Sequence, residues 1–344
     1  MTLRVTVLMP VYNGAEYLRP TMESILNQSF SDFEFLIIDD GSTDSTVAII
    51  RSFSDSRIRL LKNPTRLKLS GALNRGLDEA RGEYVARMDG DDIAMPDRLA
   101  KQVALLDSSP DIGICGGWIK RFGMGRNEIN RFPETAAQVR AYSLFDCPFA
   151  HPTVMIRKRF FDRYKLRYDG AFYPTEDYEL WSRVLDLFPC VNIPEVLLHY
   201  RVHDSSMTCS DWGEMDTKAA AVSGRQLKVL LRYQPAEEEV LLHRNVGRGE
   251  SYPSSDIEEL QKGERWLQNL IQANKVTKQY DENALLEIVA LIWYRFCFHA
   301  GRLGFRTLRC YLASSLRKND RKSIQRGGIL FASILKQKVQ NIKK

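Results

Sequence analysis

Three carboxylates lie within four residues at Asp89, Asp91 and Asp92, directly after the strand-like run 83–86. Carboxylates packed this closely repel one another and raise one another's pKa values, unless a cation lies among them. An Asp-x-Asp spacing on a turn suits a hard divalent cation that keeps some of its water and also binds a diphosphate. Because Asp and Gly are common turn residues, a solvated acidic turn is the alternative interpretation.

The elements before this turn alternate between apolar runs and amphipathic segments. Strand-like runs occupy residues 5–9, 35–38, 58–61 and 84–86, with helical patterns between them. Continuous apolar character is typical of strands that are buried on both faces of a parallel sheet. The alternation therefore predicts an α/β domain with a mainly parallel sheet flanked by helices.

Polar residues follow three of these strands. In open α/β sheets, ligands bind at the carboxyl ends of the strands. The residues placed there are Pro10, Tyr12 and Asn13 after the first strand, Asp39 and Asp40 after the second, and Asp89, Asp91 and Asp92 after the fourth. Packing alone does not explain carboxylates that converge on one sheet edge, so we predict a ligand site there.

Several classes of protein are disfavoured by the sequence. No Gly-x-Gly-x-x-Gly follows the first strand and no Walker loop occurs, which argues against a dinucleotide-dependent dehydrogenase and a P-loop hydrolase. The six cysteines are widely spaced, so neither a zinc site nor a disulfide framework is expected. Free thiols are consistent with a reducing, cytoplasmic location.

Length and hydropathy predict a large globular chain. The 344 residues suit one large domain, or one domain with an extension. The apolar run 3–11 has neither a basic n-region nor a small-residue cleavage site, so it is interpreted as a strand rather than a signal peptide. No uninterrupted run of 18 apolar residues occurs, and we expect no membrane-spanning helix.

The net charge of +6 is unevenly distributed. Residues 301–344 contain twelve Lys/Arg and one acid, Asp320, which leaves 37 basic and 42 acidic residues in 1–300. The apolar residues Leu308, Tyr311, Leu312 and Leu316 recur there at helical spacing. A basic amphipathic segment suits an anionic membrane surface, and the solvated face of a helix is the alternative. No nucleic-acid recognition motif accompanies the charge, so nucleic acid is not an expected partner.

A second acidic pair, Glu176 and Asp177, follows Thr175. Thr175 is a suitable N-cap, and acids are favoured in the first turn of a helix. Helix capping is therefore the structural interpretation of this pair.

Five blocks in order resemble the family 2 glycosyltransferases. They are residues 7–14, residues 37–44, the block from Gly82 through Asp89–Asp92 to Arg98, Glu176-Asp177 with Trp181, and 200–203 with Ser205 and Ser206. The resemblance covers roughly residues 3 to 210. It implies the Rossmann-like GT-A fold for residues 1–210, and residues 211–344 are interpreted as a mainly helical extension with a basic end.

The resemblance implies a nucleotide diphosphate sugar as the donor. It places Pro10 and Tyr12 in the nucleotide pocket, with Tyr12 packed on the base and Asn13 in the same loop. It assigns Asp40 to the base, Asp39 to the ribose or the loop, and Asp89 to the ribose or a metal-bound water. Asn74 falls in a segment close to the donor, and an ordinary helix residue is the alternative.

The same resemblance implies a divalent metal, Mg or Mn, with Asp91 as its direct ligand. Asp89 and His203 are further candidate ligands, although His203 also suits a hydrogen bond across the closing loop. Asp92 either joins the site or only caps the following turn. His151 lies in a loop that reaches toward the acceptor, or it forms a structural turn.

An inverting transferase needs a base for the acceptor hydroxyl, and the resemblance assigns this role to Asp177, with Glu176 as the fallback. Neighbouring residues of a helix point about 100° apart, so only one of them faces the acceptor. The expected reaction is one in-line displacement that builds surface polysaccharide or glycolipid, on a saccharide or lipid-linked acceptor at the cytoplasmic face of the membrane.

Two other functions fit parts of the sequence. A sugar nucleotidyltransferase normally carries a cationic, glycine-rich loop after the first strand, whereas residues 11–16 contain no Lys or Arg. A non-catalytic sugar-nucleotide binder or scaffold would be expected to lack the carboxylates that Asp91 and Asp177 supply.

Overall fold

The computed structural model describes residues 3–204, 212–248, 256–320 and 322–342. The chain divides into two compact units. The first comprises Met1–Val139 and Cys147–Lys218, and the second comprises Arg140–Asp146 and Ala219–Lys344. The predicted domain boundary at residue 210 lies outside the described residues, as do Ser205 and Ser206, and that boundary stays a prediction.

The first unit contains a nine-stranded sheet within its described residues. The strands are β1 (Val5–Val11), β2 (Phe33–Asp39), β3 (Ile58–Lys62), β4 (Tyr84–Arg87), β5 (Ile93–Ala94), β6 (Ile114–Phe122), β7 (Ile129–Asn130), β8 (Met155–Arg157) and β9 (Cys190–Arg201). Their order is β3-β2-β1-β4-β8-β6-β9-β5, and β7 pairs with β6.

The parallel part of this sheet consists of the four strands that the sequence predicts. β1 pairs in parallel with β2 and with β4, and β2 pairs in parallel with β3. β8 then joins β4 and β6 in antiparallel pairs, whereas β9 lies parallel to β6. The predicted α/β class with a mainly parallel sheet is confirmed for this half of the unit.

Helices cover both faces of the sheet because alternate strand residues point to opposite faces. In β1, Val5 and Val7 belong to one buried cluster and Leu8 belongs to the other. The helices in chain order are α1 (Leu18–Leu26), α2 (Thr46–Arg51), α3 (Lys68–Glu79), α4 (Arg98–Ser108), α5 (Ala136–Tyr142), α6 (Lys158–Arg163), α7 (Glu176–Val184) and α8 (Trp212–Leu231). Of these, α5 and α8 belong partly to the second unit.

Gly82 lets the backbone pass close to β1 just before β4 begins. A Cβ atom at Gly82 would lie 2.4 Å from the main-chain nitrogen of Thr6. Only glycine fits this close passage of backbone against β1, and it is followed directly by the strand that leads into the acidic turn.

The second unit is helical. Its remaining helices are α9 (Glu237–Arg248), α10 (Ile257–Thr277), α11 (Glu282–His299), α12 (Phe305–Ala313) and α13 (Ser323–Ile342). His243 is fully buried in this unit: its Nε2 lies 2.7 Å from the carbonyl oxygen of Leu144, and its Nδ1 accepts a hydrogen bond from Trp266. Burial lowers the pKa of His243 to about 4, so the ring is neutral at pH 7.

The segment Glu282–Leu303 is long and apolar enough to cross a membrane, with a mean hydropathy of 1.4. In the structure 61% of the apolar window within this segment is buried inside the protein. The core helix of a globular unit would be buried in the same way. Length and composition alone are weak evidence for a membrane span.

Candidate functional site

The acidic turn after β4 brings three carboxylates together. Ligand atoms of Asp89, Asp91 and Asp92 all lie within 4.8 Å of one another. The turn begins where β4 leaves the sheet, since the backbone N–H of Met88 still donates to the Leu8 carbonyl at 2.9 Å. The three carboxylates of this turn therefore lie close together at the end of β4.

His203 lies beside this group. Its Nε2 is 2.9 Å from Oδ2 of Asp91. Two neighbouring ligands of an octahedral Mg²⁺ lie about 3 Å apart, because each is about 2.1 Å from the ion at a right angle. The spacing thus suits both sequence-based interpretations, a shared cation and a direct hydrogen bond.

Asp92 is buried and joins the turn to β9. Its Oδ1 accepts a hydrogen bond from the backbone N–H of Arg201 at 2.8 Å, and the Arg201 guanidinium donates to the Asp91 carbonyl at 2.8 Å. Burial, together with the charge of Asp91, raises the pKa of Asp92 well above its usual range. Its Oδ2 is buried and has no hydrogen-bond partner among the residues that the structure describes.

Arg87 is the functional residue that the sequence analysis missed. Its guanidinium is buried and pairs with Asp89. The charge of Arg87 also lowers the pKa values of His151 and Glu176, so its field reaches the second acidic pair as well as the acidic turn. The available signal was a charged residue at the end of an otherwise apolar strand.

The pKa of Asp89 is raised to about 6 by burial, with Arg87 opposing the shift and Asp91 adding to it. A carboxylate in this position is held in its ionised form mainly by the buried arginine. The interaction between Arg87 and Asp89 can be tested by mutation.

We expect Arg87→Met to lower the free energy of unfolding at pH 7 by about 3 kcal/mol, because it leaves the Asp89 charge without its buried partner. Urea unfolding of Arg87→Met, Asp89→Asn and the double variant measures the coupling between the two residues. The double variant should be more stable than the sum of the two single losses indicates. Strict additivity would show that the two charges do not interact.

The second acidic pair opens α7. Glu176 is 2% exposed, and burial followed by the charge of Asp177 raises the pKa of Glu176 to about 7. The side chain of Asp177 is 21% exposed and accepts a hydrogen bond from the backbone N–H of Tyr178 at 2.7 Å. The two acids therefore occupy different environments, and Asp177 is the one that remains accessible.

The predicted capping role of Thr175 is only partly correct. Thr175 occupies the N-cap position, but its side chain makes no capping hydrogen bond. Its hydroxyl donates instead to the Phe172 carbonyl at 3.0 Å, within the preceding turn. Thr175 therefore occupies the N-cap position without capping the helix through its side chain. A capping role of Thr175 does not explain why Glu176 and Asp177 occur here.

His151 forms a structural turn and also lies beside Asp177. It begins a single 3₁₀ turn, His151–Thr153. Its Nε2 is 2.9 Å from the Tyr168 hydroxyl, and its Nδ1 is 3.9 Å from Oδ2 of Asp177. Burial holds the pKa of His151 well below its usual range, so the ring is neutral and this contact is not an ion pair.

The loop after β1 carries the residues predicted to contact the nucleotide. Pro10 is part of β1, and the ring of Tyr12 is 40% exposed with the Arg66 guanidinium 3.8 Å from its centroid. Asn13 adopts a left-handed conformation with φ 49°. Its Oδ1 accepts a hydrogen bond from the Thr43 backbone N–H at 2.8 Å, which joins this loop to the one after β2.

The two aspartates after β2 stabilise neighbouring loops. Asp39 accepts a hydrogen bond from the Ser42 backbone N–H at 3.2 Å. One oxygen of Asp40 accepts from the Asn63 amide at 2.6 Å and from the Leu67 backbone N–H at 2.7 Å. Both carboxylates are buried at the sheet edge, as predicted, and their contacts with a donor remain predictions.

Asn74 binds a loop rather than the acidic turn. Its side-chain N–H donates to the Tyr168 carbonyl at 2.9 Å, and its Oδ1 accepts from the Tyr168 backbone N–H at 2.8 Å. Asn74 thereby positions the residue whose hydroxyl contacts His151. Its predicted contact with the donor is untested.

Comparison with known proteins defines the class of this fold and site. The crystal structure of Staphylococcus aureus TarS 1–349 in complex with UDP-GlcNAc aligns with a TM-score of 0.57 at 18% identity, over 85% of this chain and 87% of that one. At this identity the likeness shows the fold alone, which is the GT-A fold. The predicted fold is confirmed.

Sequence relatives extend the result to the family. The Glycosyl transferase family 2 model matches residues 6–165. The Escherichia coli O-antigen biosynthesis glycosyltransferase WbnJ is 32% identical over 60% of this chain and 84% of its own length. An uncharacterized glycosyltransferase of Haemophilus influenzae is 32% identical over 58% of this chain, which aligns with 65% of that protein. The chain belongs to glycosyl transferase family 2, and it is a glycosyltransferase.

Proposed function

We propose that this glycosyltransferase moves a sugar from a nucleotide diphosphate sugar to an acceptor hydroxyl with inversion, in the synthesis of surface polysaccharide or glycolipid. The observation that carries the proposal is the presence of two groups of carboxylates, both of which feel the charge of Arg87. One group is the acidic turn with His203, and the other is Asp177 with its buried neighbours. The name of WbnJ, an O-antigen biosynthesis enzyme, supports the class of product.

The residues of the turn suit a divalent metal, Mg or Mn. Carboxylate oxygens are the donors that hard divalent cations prefer, and Asp92 keeps one buried oxygen without a hydrogen-bond partner among the described residues. We assign Asp91 as the direct ligand, with Asp89 and His203 as further ligands. When bound, such a cation stabilises the negative charge that develops on the leaving diphosphate.

Asp177 is the proposed general base, because its side chain is 21% exposed whereas Glu176 is buried, which raises the pKa of Glu176 to about 7. The acceptor hydroxyl gives its proton to the Asp177 carboxylate while its oxygen bonds to the anomeric carbon. The bond from that carbon to the diphosphate oxygen breaks on the opposite side. An attack from the opposite side inverts the anomeric configuration.

The donor occupies the loops after β1 and β2 in this proposal. Tyr12 stacks on the base next to Pro10, and Asp40 hydrogen-bonds the base edge. Asn13 joins the two loops beside the ribose, and Asp39 stabilises the loop after β2. Asn74 contributes by holding the Tyr168 segment in place.

The acceptor in this proposal is a saccharide or a lipid-linked saccharide, used at the cytoplasmic face of the membrane. The five cysteines within the described part of the chain are free thiols, which a reducing compartment maintains. The basic segment 301–344 would place the enzyme close to an anionic surface.

A panel of nucleotide sugars, assayed for release of nucleoside diphosphate with and without Mn²⁺, tests this function. We expect metal-dependent turnover of one donor, with a product of inverted configuration by NMR. Release of inorganic pyrophosphate from a nucleoside triphosphate and a sugar phosphate would identify a nucleotidyltransferase instead. Donor binding without turnover on any saccharide acceptor would identify a scaffold.

A further inference from the structure

The two helices α12 and α13 expose large apolar side chains to solvent. The exposed residues are Phe305, Leu312, Ile324, Ile329, Phe331 and Leu335. Ile324 is 87% exposed. Soluble proteins normally scatter such residues singly, whereas a contiguous group indicates an interaction surface.

Five of these residues, all except Ile329, form one patch because α12 and α13 pack together. The rings of Phe305 and Phe331 are 6.0 Å apart, and a Cβ atom at Gly327 would lie 3.7 Å from Leu312. On α13, Ile324, Phe331 and Leu335 recur at helical spacing and form one stripe. Leu330 and Ile334 point away from that stripe and are buried in the unit.

The sequence-based stripe on α12 is divided between two environments. Tyr311 and Leu316 are buried, whereas Leu312 is 47% exposed. The interpretation as an ordinary solvated helix face therefore does not account for the segment, since its exposed side is apolar as well as basic. We call Phe305, Leu312 and the α13 stripe the α12/α13 patch.

The exposed charged residues that segment 301–344 contributes, within its described part, are all positive. The exposed basic residues of the same segment are Arg302, Arg306, Arg309, Lys318, Lys322 and Lys336. Asp320, the one acid of residues 301–344, is buried and pairs with Arg326 at 2.7 Å. Asp320 is thus paired inside the unit, and the exposed charged residues described on α12 and α13 are all basic.

We propose that the α12/α13 patch docks on an anionic lipid bilayer, with its apolar side chains in the headgroup region and its Lys and Arg residues at the phosphates. Aromatic and aliphatic residues on one face with Lys/Arg beside them are the composition of interfacial helices. A second copy of this chain fits less well, because protein interfaces are depleted in lysine and both copies would carry the same positive charge. This proposal rests on the proposed membrane-facing function and names the surface that makes the contact.

Sedimentation of the full chain with vesicles tests the proposal. The probes are equimolar phosphatidylglycerol and phosphatidylcholine, compared with phosphatidylcholine alone. We expect binding to the anionic vesicles only, weakened by salt between about 0.1 M and 1 M because the Debye length shortens. Phe331→Ser with Leu335→Ser, and separately Arg306→Glu with Arg309→Glu, should each reduce binding about tenfold.

The matched control is Leu241→Ser with Val276→Ser, which removes residues of the same unit that are 55% and 68% exposed but lie outside the patch. It should bind like the wild type. Equal sedimentation of the patch variants and the wild type would overturn the proposal, as would equal binding to neutral vesicles. A dimer in light scattering that Phe331→Ser converts to a monomer would assign the patch to a second copy instead.

Two further readouts separate this proposal from the enzymatic one. Thermal unfolding of the variants should match the wild type, because the substituted side chains are exposed. Donor turnover on a water-soluble acceptor should also be unchanged, since none of these residues belongs to the proposed active site. Loss of vesicle binding with normal turnover therefore supports the patch alone.

Discussion

Asp177→Asn is expected to lower kcat about a thousandfold while leaving the KM for the donor nearly unchanged. The amide keeps the shape of the side chain and its hydrogen bond from the Tyr178 N–H, but it cannot accept the acceptor's proton. General-base catalysis contributes on the order of 10²–10⁴ to such reactions. Initial rates of nucleoside diphosphate release, with donor and acceptor varied separately, measure the effect.

Glu176→Gln is the matched control for this prediction. Glu176 lies one residue away, but it is buried and its Oε2 has no hydrogen-bond partner among the described residues. Its replacement by an isosteric amide should reduce kcat less than about tenfold. If Glu176→Gln abolishes turnover and Asp177→Asn does not, the roles of the two acids are reversed.

The pH dependence of the two variants gives a second comparison. The pKa of Glu176 is raised to about 7, so this group loses its proton across neutral pH in the wild type. If the ionisation of Glu176 affects the rate, kcat of the wild type changes with pH near pH 7. In Glu176→Gln that change of kcat with pH should be absent. Asp177→Asn keeps Glu176, and the same change should persist in its residual activity.

Most of the parallel sheet is predictable from the sequence, because its strands are short, continuous apolar runs that are buried on both faces of the sheet. Val5 and Leu8 of β1 enter different core clusters for this reason alone. The positions of the polar residues at the strand ends are predictable for the same reason, because each apolar run stops where they begin. Local sequence fixes where each strand stops, and the sheet brings those ends together.

The contacts that shape the site are less predictable because they join residues that are distant in the chain. The sequence gives no sign that Arg87 is buried, because its partners are distant in the chain: its backbone N–H donates at 2.9 Å to the carbonyl of Val154, the residue before β8. Asp92 looks like a turn cap until β9 supplies the Arg201 N–H. The Thr175 hydroxyl does not cap α7, because it donates to a competing acceptor nearby, the Phe172 carbonyl.

Asp91→Asn is expected to remove metal-dependent donor binding and to lower kcat/KM by at least about a thousandfold. Loss of this charge weakens a cation site that contributes several kcal/mol to the transition state, and each 1.36 kcal/mol corresponds to about tenfold in rate. Manganese binding followed by electron paramagnetic resonance, and donor binding followed by calorimetry, measure the two losses. Asp78→Asn, an exposed acid paired with Arg167, is the control and should bind Mn²⁺ like the wild type.

His203→Gln then separates the two interpretations of the 2.9 Å contact with Asp91. If His203 is itself a ligand, its loss should reduce Mn²⁺ affinity by about 10- to 100-fold. If the contact is only a hydrogen bond across the closing loop, the glutamine N–H replaces it and Mn²⁺ affinity stays at the wild-type value. An unchanged affinity in both Asp91→Asn and His203→Gln would exclude the acidic turn as the metal site, and the role of Arg87 would then be to hold a fixed carboxylate cluster against the donor.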